Sequence, residues 1–201
     1  MSASHERAAQ GEPPRRPRLA LSGSAGTGKT TLARALATRL EVPYVPEGMR
    51  TRIERGLELH TLDLAELGDL VIELWEEQRQ LEHQAIRAAG GFVADRSPVD
   101  FFAFWLLYRC GPRARTEAFH RETLRDAGHL DRIVVLPWGA LPLIDDGVRT
   151  PDTWRQRHYQ ALLEGLLFRE VPPEQLLWLD GSASVEERAD AVMQAVATPA
   201  R

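Results

Sequence analysis

Lysine is almost missing from this chain: of its 25 Lys and Arg residues, Lys29 alone is lysine and the rest are arginine. Such a bias follows a genome's codon usage more than selection on a fold, so a lysine that resists it marks a place where arginine will not serve. Cysteine is as scarce. Cys110 alone cannot close an internal disulfide, which agrees with a reducing compartment. No apolar run approaches the ~18–20 residues that span a bilayer. Met1 to Pro17 is polar and proline-bearing and lacks the apolar core of a signal peptide, so residues 1–17 read as a disordered tail on a cytoplasmic protein with no membrane partner. Positive charge is short as well. A net charge of −4 argues against nucleic acid as a partner, because backbone binding needs clustered cations. The six histidines show no ligand spacing with each other or with Cys110, and no G-x-S-x-G nucleophile signal occurs.

What is present is an ordinary globular composition, 43% hydrophobic and 27% charged over 201 residues, enough for one domain over 18–201. Apolar segments alternate with helical patterns, which predicts an α/β fold with a mostly parallel sheet. Strands are expected at Leu19–Leu21, Val42–Val45, Phe92–Ala94, Arg132–Leu136 and Leu176–Leu179. A helix is expected from Lys29 to Leu40. A long one carries Leu67, Leu70, Val71, Leu74, Leu81 and Ala85 on one face, with Asp63 and Glu66 as its capping box and Gly90-Gly91 as its end. Ser97, Pro98 and Asp100 have the chemistry of a helix start, as do Thr150-Pro151 and the pair Ser184 and Glu187.

Gly23-Ser24-Ala25-Gly26-Thr27-Gly28-Lys29-Thr30 matches G-x-x-x-x-G-K-[ST] at every position, between an apolar strand and a helix. Glycines there let successive amides wrap a phosphate, and the helix beginning at Lys29 adds its positive N-terminal dipole through Thr31. Lys29 reaches β- and γ-phosphates in such a loop, where a planar guanidinium crowds the oxygens, and Thr30 offers a hydroxyl to Mg²⁺. Asp95 closes a buried strand at the sheet edge where parallel folds bind ligands, a second candidate for the metal; the bland alternative is a helix cap. Glu47 follows the second strand and is a candidate base or water-mediated metal ligand, with Arg50 as a contact to the acceptor; a solvated turn is the alternative. Arg149, Arg155 and Arg157 have the makings of a lid that closes over transferring phosphate. Arg155 and Arg157 are two apart on a helix and face different ways, so one of them is structural.

Together these residues resemble the small-molecule kinase branch of the P-loop proteins, nearest to the nicotinamide riboside kinase-like ATPase-domain family, with deoxynucleoside and thymidylate kinases as cousins. The likeness rests on GSAGTGKTTLA at 23–33, VPEGMR at 45–50, EEQRQLE at 76–82, VADRSPVDFFAFW at 93–105 and DDGVR at 145–149. It implies a three-layer α/β/α sandwich, a five-stranded parallel sheet in the order 2-3-1-4-5, and a small lid around Arg149 to Arg157. By position it implies Glu47 and Asp95 as alternatives for general base and metal ligand, and Arg96 and Gln78 beside a small-molecule acceptor. The loop Asp180-Gly181-Ser182 then lies near the adenine of ATP. Cousin kinases carry glutamate where Asp95 stands, so a nucleoside acceptor does not follow. The expected activity is Mg²⁺-dependent transfer of the γ-phosphoryl group of ATP to a hydroxyl. A nucleoside monophosphate kinase and a regulatory ATPase without acceptor are the alternatives. A Ras-like GTPase is disfavoured, since Pro137-Trp138-Gly139 stands where a guanine-reading N-K-x-D is expected.

Overall fold

The computed structural model describes residues 13–139 and 152–197. In chain order the strands are β1 (Arg18–Ser22), β2 (Tyr44–Val45), β3 (Phe92–Ala94), β4 (Arg132–Val135) and β5 (Leu176–Trp178). The helices are α1 (Lys29–Leu40), α2 (Gly48–Glu54), α3 (Leu64–Ala89), α4 (Pro98–Tyr108), α5 (Arg113–Ala127), α6 (Thr153–Glu170) and α7 (Val185–Ala197). The strands form one sheet in the order β2-β3-β1-β4-β5, and every neighbouring pair is parallel. This is the topology that the resemblance implied.

Parallel strands need covering on both faces, and the alternation of side chains does that here. Leu19, Leu21, Val93, Val134 and Leu136 point to one face and pack on Leu32 and Leu36 of α1 and on Ala189 and Val192 of α7. Ala20, Ala94, Ile133 and Val135 point to the other, against Val99 and Ala103 of α4 and Leu163 and Leu167 of α6. A second core lies among helices, where Leu70, Val71, Leu74 and Trp75 of α3 meet Phe101 and Trp105 of α4 and Phe119 of α5.

Local chemistry sets the helix ends. Asp63 Oδ1 accepts from the amides of Ala65 and Glu66 at 2.8 and 2.9 Å while Glu66 Oε2 accepts from the amide of Asp63 at 2.9 Å, the reciprocal capping expected for α3. Ser184 and Glu187 make the same exchange at the start of α7. Asp152 caps α6, accepting from the amide of Arg155 at 3.0 Å; Thr150 and Pro151, expected to start that helix, lie outside the described residues. Helix α2 occupies the stretch after β2 for which no helix was expected and a solvated turn was one alternative. At the base of the sheet, Arg15 pairs with Asp131 at 2.5 Å and the Arg16 amide donates to the Gly90 carbonyl at 3.1 Å, although both residues read as tail. Among the described residues, no helix is long and apolar enough to cross a membrane.

Candidate functional site

Parallel pairing brings the segments after β1, β2 and β3 to one edge of the sheet. The turn after β1 is built by glycine, since Gly26 and Gly28 have φ of 76° and 87°, a region costly for residues with a Cβ. Gly28 leads directly into α1, so the amides of Lys29, Thr30 and Thr31 open at a helix N-terminus. Ser24 and Thr27 are buried, Ala25 is half-buried, and Gly26 and Thr31 are exposed. The amide of Ser24 donates to Oε1 of Gln160 at 2.7 Å, and Nε2 of Gln160 donates to the Leu136 carbonyl at 3.1 Å. One side chain of α6 thus ties the start of the turn to the end of β4. From the opposite layer, Arg188 of α7 donates to the carbonyls of Thr27 and Gly181 at 3.3 and 2.9 Å.

Lys29 is 5% exposed, and its ammonium donates to the Ser24 carbonyl at 2.6 Å. Burial and then the neighbouring Arg96 pull its pKa down to about 7, against Glu47, Asp95 and Asp100, which push it up. An ammonium so placed gains from any anion brought to it.

Asp95 is 2% exposed. Its Oδ2 accepts from Thr30 Oγ1 at 2.6 Å and from the Tyr44 hydroxyl at 3.0 Å, while Oδ1 is buried without a hydrogen-bond partner. Buried polar atoms are ordinarily satisfied, so an orphaned carboxylate oxygen beside the glycine turn and the start of α1 fits a hard cation or one of its waters. Among the described residues, no group of three or more His, Cys, Asp or Glu side chains converges. Mg²⁺ needs no such cage, because one or two protein ligands, phosphate oxygens and water complete its octahedron.

Arg96 turns inward. It is 2% exposed, and Nη1 donates to the Gly23 carbonyl and to Asp100 Oδ1, each at 3.0 Å, and to the Tyr159 hydroxyl at 3.2 Å. Nη2 donates to Glu47 Oε1 at 3.0 Å, and the guanidinium lies 4.9 Å from the ring centroid of Phe104. Burial works against its charge, and Glu47, Tyr159, Asp100 and Asp95 outweigh it and hold the group protonated. Asp100 is the node of this network. Its Oδ2 accepts from Ser22 Oγ at 2.5 Å, Ser97 Oγ at 2.8 Å and the Ser97 amide at 3.1 Å; its Oδ1 accepts from Arg96 and, at 2.9 Å, from Tyr159.

Glu47 sits at the start of α2 with its side chain 10% exposed, against the same guanidinium. Gln78 of α3 is buried; Nε2 donates to Glu82 Oε1 and to the Arg96 carbonyl, each at 2.8 Å, and Oε1 is without a partner. Arg50 is further out and bonds Glu54 one turn on at 2.9 Å. Arg155 lies 5.3 Å from the centroid of Tyr108, while Arg157 lies 5.5 and 5.7 Å from those of Trp138 and Trp154. The two thus face different ways, as their spacing required. Arg149 lies outside the described residues. Beyond β5, Asp180 Oδ1 accepts from the amide and hydroxyl of Ser182 at 2.8 and 2.9 Å.

Tyr44, Asp100, Tyr159, Gln160 and Arg188 are the residues of this region that motif spacing did not flag. Asp100 was visible only as a cap. Nothing local marks the others, because the bonds that tie them to Asp95, Arg96, Ser24 and Thr27 join residues 51 to 161 apart.

The family model described as "AAA domain" matches residues 18–188. A bifunctional pantoate ligase/cytidylate kinase from Synechococcus sp. (strain JA-2-3B'a(2-13)) is 43% identical over an alignment of 53 residues, with 23% of this chain and 10% of that protein covered. Among solved structures, NadR protein in complex with NR aligns with 92% of this chain and 53% of its own, at a TM-score of 0.70 and 21% identity. Deoxyadenosine kinase from M. mycoides, with products dCMP and a flexible dCDP bound, aligns with 88% of this chain and 97% of its own, at 0.63 and 11%. The chain therefore spans about half the length of NadR and a tenth of the curated relative, and at these identities the structures share its fold.

Proposed function

Since this chain belongs to the AAA-domain family of P-loop proteins, we propose that it is an ATP-dependent kinase that moves the γ-phosphoryl group to a hydroxyl of a small molecule. The kinase-like fold that it shares with NadR and deoxyadenosine kinase supports this reading. The observation that carries the choice of acceptor is the state of Arg96. An acceptor phosphate calls for a guanidinium fork turned toward it. Arg96 spends both terminal nitrogens on Glu47, Asp100, Gly23 and Tyr159, so the groups after β2 and β3 that an acceptor meets are the carboxylates Glu47 and Asp95 rather than a guanidinium fork. That is an environment for an alcohol.

In this reading the amides at the start of α1 and the Lys29 ammonium cradle the phosphates. Thr30, whose proton goes to Asp95 Oδ2, would offer its lone pairs to Mg²⁺, and the unpartnered Asp95 Oδ1 would hold the metal or one of its waters. Bound Mg²⁺ neutralises charge on the phosphate oxygens. Glu47, held at 3.0 Å by Arg96, accepts the hydroxyl proton of the acceptor, with Asp95 as the alternative base. Gln78 faces the acceptor through its unpartnered oxygen, and Arg149 with one of Arg155 and Arg157 supplies positive charge to the transferring phosphate. Positioning and charge neutralisation lower the barrier.

A nucleoside monophosphate kinase is the second reading, favoured by the short stretch shared with the cytidylate kinase fusion. The test is ATP depletion against nucleosides, nucleoside monophosphates, nicotinamide riboside and sugar-like or antibiotic alcohols, with product mass determined. An alcohol one phosphoryl group heavier is the expected product. A nucleoside diphosphate gives the second reading, and tight ATP binding with no acceptor consumed gives a regulatory ATPase.

A further inference from the structure

Tyr44 is the first residue of β2, opposite Val93 in the parallel ladder, and the amide of Asp95 donates to the carbonyl of the next residue, Val45, at 3.0 Å. The ladder thus fixes the tyrosine beside the end of β3. On its other side Arg34 lies 5.3 Å from the ring centroid. Arg34 is one turn beyond Thr30 on α1, so the helix that carries the candidate metal hydroxyl also holds the ring.

The Tyr44 hydroxyl and Thr30 Oγ1 both donate to Oδ2 of Asp95, at 3.0 and 2.6 Å, and Oδ1 is buried with nothing bonded to it. A carboxylate rotates broadly about its terminal torsion, and a single donor leaves that rotation free. Two donors, one from α1 and one from β2, fix Oδ2 and thereby the direction of Oδ1. Burial first, and Asp95 second, hold the Tyr44 phenol well above its ordinary range, so it remains a donor across working pH.

We propose that Tyr44 is a positioning residue for the divalent cation, acting through Asp95. It shares Oδ2 with Thr30 and so keeps Oδ1 aimed at the metal or a metal-bound water. This rests on the reading of the site as one for a metal–nucleotide complex. Partners of this kind around ligands typically alter metal affinity by about 10–100-fold when removed.

The experiment compares wild type and Tyr44→Phe as full chains, by calorimetric titration of AMP-PNP with and without Mg²⁺, and of Mn²⁺ followed by its paramagnetic relaxation. The expected result is metal-free nucleotide affinity within about twofold of wild type and a loss of about 10-fold in Mn²⁺ affinity and in the gain that Mg²⁺ gives. Adding Asp95→Asn to Tyr44→Phe is expected to cost less than Asp95→Asn alone costs the wild type, because the two act in series. An unchanged gain from Mg²⁺, or an equal loss with and without metal, overturns the role of the tyrosine. If wild type itself gains nothing from the metal, the metal–nucleotide reading falls, and the role of Tyr44 with it.

Discussion

Binding of a nucleoside triphosphate near pH 8 is expected to draw a proton out of solution. With burial and Arg96 holding Lys29 at about 7, about a tenth of the empty sites carry an ammonium at pH 8. A phosphate oxygen at hydrogen-bonding distance contributes about 5 kcal/mol at an effective dielectric constant near 20, enough to return the pKa above about 10. Uptake is then about 0.9 proton per site at pH 8 and falls to about 0.1 at pH 6, where the empty site is already charged. The assay is titration calorimetry with AMP-PNP and Mg²⁺ in buffers of different ionisation enthalpy, in which the slope of observed against buffer enthalpy counts protons. Any protons that the nucleotide itself exchanges appear equally with Lys29→Met, so the difference between the two slopes belongs to Lys29. The variant is expected to lose that uptake. A slope near zero in the wild type, or the same slope in the variant, refutes the account. The same shift affects the empty fold. The unfolded chain holds the Lys29 proton up to about 10.5 and the native one only to about 7, so stability rises with pH between those values.

Glu82 is buried, and burial, with Asp126 next, raises its carboxyl to about 7, against Gln78 and Arg79. Its folded pKa exceeds its unfolded one, so the stability it contributes is complete below about 4.5 and lost as pH rises through about 7. Glu82→Gln keeps an acceptor for Gln78 and is expected to melt above wild type at pH 8, by up to about 3 kcal/mol, with the difference vanishing below about pH 4; a pH-independent difference contradicts this. Gly68 of α3 packs on the turn after α4, where an added Cβ would come within 2.5 Å of the Cys110 carbonyl oxygen. Backbone cannot yield as a side-chain tip can, so Gly68→Ala is expected to cost about 1–3 kcal/mol despite better helix propensity. Thermal melting that shows a neutral or stabilised variant refutes the close contact.

Much of this fold is legible in local spacing. The start of α1 at Lys29 follows from the glycine turn, the ends of α3 from Asp63, Glu66 and Gly90, and β3 from an apolar triplet between Gly91 and Asp95. These are properties of residues three or four apart, which a sequence displays directly. Arg96 shows the limit. Read alone, a guanidinium after a strand end faces a ligand. Asp100 stands four residues on, at helical spacing, and with Glu47, 49 residues back, it draws the side chain into the protein. Tyr159 and Gln160 are adjacent on α6, yet one bonds the arginine network and the other the amide of Ser24, 136 residues away. Such pairings arise only when layers stack. The fold was therefore readable further than the site, whose polar groups are satisfied across layers rather than along the chain.

The scarcity of lysine gives the site a chemical address. Lys29 carries the chain's single side-chain amine, and a pKa near 7 leaves about half of it unprotonated and nucleophilic at neutral pH. An acylating or sulfonylating reagent shaped like a nucleotide has one ε-amine to find, and that amine stands where the glycine turn enters α1. A mass increment on the intact protein that Lys29→Met abolishes therefore reports this site, and its suppression by competing ligands measures their occupancy of it.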